Sequence, residues 1–215
     1  MTMNEMIYEL AEKTGRPYDL AIRNQIKQGI KTWRSVFLRQ MGGKRFLSPI
    51  FLQDFCVETS LVDANECCNG VSNCKVRKSI TPIPKAVDFR DWNYAYVGKL
   101  DNSMNYGSVE PSELQYILEQ RFADLFYRYW QIGDYLYTNA KHRTIRVRGI
   151  FEDPELLSEF KSCNNGPCYT DDSEYPITAE MFGRIKMSMM QNELAGIVQT
   201  KNEEIPLKED ANSQG

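Results

Sequence analysis

The sequence predicts an α+β protein, a helical bundle that carries a small antiparallel β-region. Three observations lead there. Apolar residues recur at helical spacing in long stretches over about 18–41, 111–130 and 178–195. Residues 50–100 are rich in β-branched and aromatic side chains and are broken by Pro, Gly and Asn. Residues 134–151 alternate apolar and polar positions on either side of a short polar turn.

The elements follow in order. Met3, Met6, Ile7 and Leu10 mark a short helix over 3–13, which Gly15 and Pro17 end. A longer helix, 18–41, carries one stripe made of Ile22, Ile26, Ile30, Trp33 and Phe37, with Arg23, Lys27, Lys31 and Arg34 beside it. Gly42-Gly43 is its stop signal. Strands are expected around Phe51 to Val57, Lys75 to Ile83 and Ala86 to Lys99, with the polar loop VDANECCNGVSNC between the first two. Pro82 and Pro84 mark an edge or a turn, because proline cannot donate to a ladder. Pro111-Ser112 opens a central helix through Leu114, Ile117, Leu118, Arg121, Leu125 and Tyr129, widened by Phe122, Phe126 and Trp130. A hairpin is expected from Asp134–Thr138 through a turn at 139–141 to a return strand, Thr144–Phe151. Asp153-Pro154-Glu155 starts a short helix, with proline at its first position. Met181, Phe182, Ile185 and Met189 form the apolar face of the last helix, 178–195. Residues 1–198 read as one domain. Residues 199–215 lack apolar periodicity and read as a tail that is disordered when free.

Composition narrows the function classes. At 42% hydrophobic and 26% charged residues the chain reads as an ordinary soluble domain. A net charge of −3 gives no bulk signal for nucleic-acid binding. The charge is uneven, however: residues 1–50 are basic and the segment after Asn192 is acidic. No apolar run approaches the ~20 residues that span a bilayer, so no membrane partner is expected. The N-terminus lacks an apolar signal core, which suggests a cytosolic product. Six cysteines in a reducing compartment are expected as free, partly buried thiols, with pairing of Cys163 to Cys168 after lysis as the alternative.

Little in the chain suggests chemistry. His142 is the only histidine; it stands between Lys141 and Arg143 and reads as an exposed turn residue. Glu152, Asp153 and Glu155, and separately Asp171, Asp172 and Glu174, could be drawn as ligands for a hard cation. Both groups sit where a helix begins, and acids favour that end of the helix dipole. The cysteine spacings, with Cys67 adjacent to Cys68, do not make the paired tight turns of a zinc site. Neither an enzyme nor a bound cofactor or metal is expected. The rival readings are a metal-dependent hydrolase built on those acids and a zinc- or nucleic-acid-binding module.

Three passages carry a resemblance. They are ECCNGVSNCKVRKSITPIPKAV, IRVRGIFEDPELL at 145–157 and CYTDDSEYPITAEMFGRIKMSMMQNEL at 168–194, with a polar tail ending in DANSQG. Their succession resembles the virion neck proteins of crAss-like bacteriophages, in particular the head-to-tail connector or adaptor ring under the portal, with a different neck or tail ring protein of the same virion as the alternative. The resemblance implies a helical bundle with an inserted or appended β-region. It implies a ring, usually of twelve copies, that joins the portal to the tail and continues the DNA channel. The implied partners are further copies of the chain, the portal protein, neighbouring neck or tail ring proteins and passing genomic DNA read without sequence specificity. The implied location is the virion, with host cytoplasm during assembly. On this reading Arg146, Arg148, Phe151, Glu152 and Asp153 are the expected subunit or portal contacts. Lys27, Lys31 and Arg34 are the expected lining of the channel.

Overall fold

The computed structural model describes residues 1–41, 48–62, 76–87, 94–113, 126–163 and 166–195. Its centre is a sheet. The strands are β1 (Gln53–Leu61), β2 (Arg77–Ser79), β3 (Tyr94–Gly98), β4 (Gly107–Ser108), β5 (Arg128–Ile132), β6 (Tyr135–Thr138) and β7 (Thr144–Gly149). They lie in the order β3-β7-β1-β2-β6-β5-β4. Neighbours are antiparallel except β4 and β5. The two outer strands also approach each other. Tyr106 N donates to Val97 O at 2.8 Å and Lys99 N to Met104 O at 3.0 Å. The sheet is therefore a nearly closed barrel, and closure removes the open edges that would otherwise template aggregation.

The alternation of β1 and β7 explains why they share a wall. Phe55 and Val57 of β1 and Ile145 and Val147 of β7 are buried, while Asp54, Arg146 and Arg148 between them reach the outer face. Phe55 pairs with Val147 and Val57 with Ile145, so the apolar sides coincide in register. Inside, these residues join Val97, Tyr129, Leu136 and Phe151 in one core. A smaller cluster of Val76, Val109 and Trp130 lies apart from it, on the outer side of β5.

Among the described residues three helices cover the barrel. Helix α1 (Met3–Lys13) starts with a capping box between Thr2 and Glu5. Helix α2 (Leu20–Met41) is capped by Asp19, whose Oδ1 accepts from Ala21 N at 2.9 Å. Helix α3 (Ala179–Asn192) is capped by Thr178, which accepts from Met181 N at 3.2 Å. Their buried residues, Leu10, Ile26, Ile30, Ile185 and Met189 among them, are continuous with the barrel core.

Several expectations need correction. The architecture is mostly β, a nearly closed seven-stranded barrel with a few helices on it, and not a helical bundle. The central helix does not reach Trp130, because residues 128–132 are strand β5. In that run Tyr129 turns into the core and Trp130 turns to the opposite face, a two-residue alternation that the crowd of aromatics hid. Residues 111–113 form a single 3-10 turn, and the rest of the predicted helix, 114–125, lies outside the described residues. The predicted 134–151 hairpin is also absent. Strand β6 pairs with β5 and β2, and β7 pairs with β1 and β3. The tight hairpin is one step earlier, where Ile132 pairs with Tyr135 across Gly133-Asp134. Gly133 takes φ +58, which a two-residue hairpin loop with glycine first requires. The helices expected over 3–13, 18–41 and 178–195 are present with their ends shifted by up to three residues. Gly42-Gly43, the VDANECCNGVSNC loop after Val62 and the tail fall outside the described residues.

Candidate subunit-contact site

The basic row of α2 meets the acidic turn after β7 inside the same subunit. Residues 151–155 run along α2, fixed by Asp153, which caps a 3-10 helix over Pro154–Glu159. Lys31 Nζ contacts Asp153 Oδ2 at 2.9 Å and Glu155 Oε2 at 2.6 Å. Lys27 reaches Glu155 at 2.9 Å and Asp171 at 3.9 Å. Glu152 pairs with Arg39 and lies 3.6 Å from Lys85. Burial opposes the charge on Lys31, but its bonds to Glu155 and Asp153 outweigh that and raise its pKa. These pairs are half-buried and fix the strap on the helix, so Lys27 and Lys31 are engaged within the chain.

Arg34 and Phe151 are wholly buried. Arg34 Nε donates to Pro176 O at 3.0 Å and Nη1 to Phe151 O at 2.7 Å, with the Tyr175 ring 5.5 Å away. Burial lowers its pKa. A buried arginine lines no channel, and a buried phenylalanine offers no surface to a neighbour. The helical stripe put Arg34 beside the apolar face, which is also why it went inside.

Arg146 and Arg148 differ, since both are partly exposed on the outer wall of the barrel, Arg148 more than Arg146, whose Nε is buried. Arg148 binds Asp54 with two bonds, Nε at 2.8 Å and Nη2 at 2.7 Å. Arg146 Nε stands 3.6 Å from the same carboxylate and makes no hydrogen bond, and its Nη1 is 3.5 Å from Leu100 O. Two guanidiniums thus share one carboxylate. Asp54 was not singled out in the sequence; its place opposite Arg148 depends on the β1–β7 register, which no local pattern announces.

Next to this wall, Cys56 of β1 is joined to Cys163 with their Cα atoms 5.1 Å apart. Cys163 therefore pairs with a strand far away in sequence and not with Cys168. The Cys168 thiol is free, and burial pushes its pKa up to about 11. A thiol so raised is a poor nucleophile at neutral pH. His142 is also not an exposed turn residue. It is half-buried, its Nδ1 lies 2.7 Å from Tyr106 Oη, and the two rings stack. Among the described residues no group of three or more potential ligands is placed to hold a metal ion. No helix among them is long and apolar enough to cross a membrane.

No curated protein matches the chain. The crAss-like family described as phage tail ring protein 2 matches residues 5–211, nearly the whole length. On that match the chain belongs to the phage tail ring protein 2 family, a family of virion ring proteins.

Proposed function

We propose that the protein is a neck-level ring subunit that joins the portal to the tail and lets the genome pass through its centre. The observation that supports the reading is the family match, which spans residues 5–211 and places nearly the whole chain in a family of phage tail ring proteins. The fold supports it physically. A nearly closed barrel, covered among the described residues by three helices, suits a subunit that meets its neighbours through the same two faces each time. The ring has twelve copies in this reading, each touching two others and the portal. DNA contact is sequence-blind and weak, because the genome must slide. The channel lining lies away from Lys27 and Lys31, whose charges are spent on Asp153 and Glu155.

Native mass measurement and negative-stain imaging of the full chain, alone and mixed with portal protein, test this. The expected result is a closed ring of twelve with a central hole, seated on the portal when portal is present. A protein that is monomeric alone and stays monomeric with portal overturns the reading.

A further inference from the structure

A ring contact joins two different surfaces of the same subunit, and those surfaces must face roughly opposite ways. The barrel provides such a pair. In the order β3-β7-β1-β2-β6-β5-β4, with β4 returning to β3, the β7–β1 seam lies across the barrel from β5, with β4 beside it. The outer face at the seam carries Arg146, Arg148 and Asp54. One carboxylate serves two guanidiniums there, and Arg148 takes most of it. Arg146 makes one long hydrogen bond, from Nη1 to Leu100 O at 3.5 Å, and its Nε, though without an acceptor, is buried, so what it can offer a neighbour is the outer end of the guanidinium, on a strand paired on both sides and therefore fixed in place. The site has one positive charge in excess.

The opposite wall carries the matching sign. Val109 packs with Trp130 on the outer side of β5, and Glu110 and Glu113 follow directly. Both glutamates are exposed, and among the described residues neither has a cation within 4.0 Å. Placing one copy's seam against the next copy's β4–β5 wall brings an under-used guanidinium to unpaired carboxylates. Repeated around an axis, the same contact closes a ring.

We infer that Arg146, with Arg148 beside it, receives the carboxylates of Glu110 and Glu113 from the next copy in the ring. This rests on the ring reading and names the walls that meet. An exposed charge pair of this kind sets register and speeds encounter more than it adds affinity. Arg146 is the residue that crosses the interface. Arg148 positions it by holding Asp54 away.

The test is a charge exchange in the full chain, read by native mass spectrometry across a concentration series. Glu110→Arg with Glu113→Arg changes two exposed residues that have no ion-pair partner among the described residues. It should raise the concentration of half-assembly by about tenfold or more, and Arg146→Glu should do the same. Combining all three should return assembly to within about threefold of the wild type, because the pair is restored with its signs reversed. Unchanged assembly in the glutamate variant, or a combination no better than its parts, overturns the inference. So does an Arg146→Glu protein that forms normal rings but no longer binds portal; the seat then belongs to portal. A wild-type chain that is monomeric both alone and with portal overturns the ring reading itself.

Discussion

Arg34 holds together three segments that are distant in sequence. Its guanidinium is wholly buried and bonds Pro176 O and Phe151 O, so α2, the turn after β7 and the chain before α3 meet at one side chain. Among the described residues no carboxylate pairs with it and Nη2 has no acceptor; the Tyr175 ring lies 5.5 Å away. Arg34→Ala takes the donor away from three carbonyl oxygens, Pro176, Phe151 and the more distant Glu152, and opens a cavity the size of the side chain. Each unsatisfied buried group costs about 1–3 kcal/mol, and the cavity adds to it. The variant should lose about 3 kcal/mol or more of unfolding free energy by urea titration. Arg34→Lys should lose less than Arg34→Ala but still measurably, since an ammonium cannot span these carbonyls in the same plane. A wild-type midpoint in the alanine variant would mean that the carbonyls find other donors.

Among the elements, the barrel closes at its weakest point, where strand β4 has only two residues. Gly98, at the end of β3, lies there against Met104 O and the Tyr96 hydroxyl, which itself donates to Met104 O at 2.9 Å. A methyl group at Gly98 would collide with that backbone oxygen, which cannot swing aside as a side-chain end could. Gly98→Ala should therefore open the β3–β4 link first. Hydrogen exchange should speed up at Tyr106 and Lys99, whose amides make the link, while Val57 and Val147 on the β1–β7 wall keep their protection. Uniform loss of protection would show that closure and barrel form one cooperative unit. This region also shows what a sequence gives up easily and what it does not. The alternation of Ile145, Arg146, Val147 and Arg148 announced a strand with one face buried. The apolar stripes, with the Gly and Pro breakers after the first two, announced α1, α2 and α3. Pairing partners were not announced, because Thr144–Gly149 meets a strand some ninety residues earlier and nothing local encodes that register. Strand β5 was hidden because FYRYWQI satisfies a helical and a strand period almost equally. Of the candidate site, the residue types were legible. Arg146 and Arg148 reached the surface as alternation required, while Arg34 and Phe151 went inside and Lys27 and Lys31 found partners.

For the whole molecule, the tyrosines set the upper pH limit of stability. Tyr94, Tyr106, Tyr129, Tyr169 and Tyr175 all have raised pKa values, and in each burial is the leading cause. An unfolded chain releases these protons near the ordinary phenol value of about 10, while the folded chain holds them to higher pH. Above that value the unfolded state binds fewer protons, so unfolding becomes easier as pH rises. Lys31 acts in the same window. Its raised pKa means a stabilisation that is complete below the lysine's unfolded value and lost as pH climbs through its folded one. Neither contribution changes between pH 7 and 9, so these groups leave stability flat there. The urea midpoint should hold steady to about pH 9 and fall steeply above about pH 10. Phenolate absorbance should rise together with the loss of structure, because the buried phenols ionise when the core opens. Phenols that titrate near their ordinary value while circular dichroism still reports the folded barrel would show that the core admits solvent, and the rigid block that a ring contact requires would have to be sought elsewhere in the subunit.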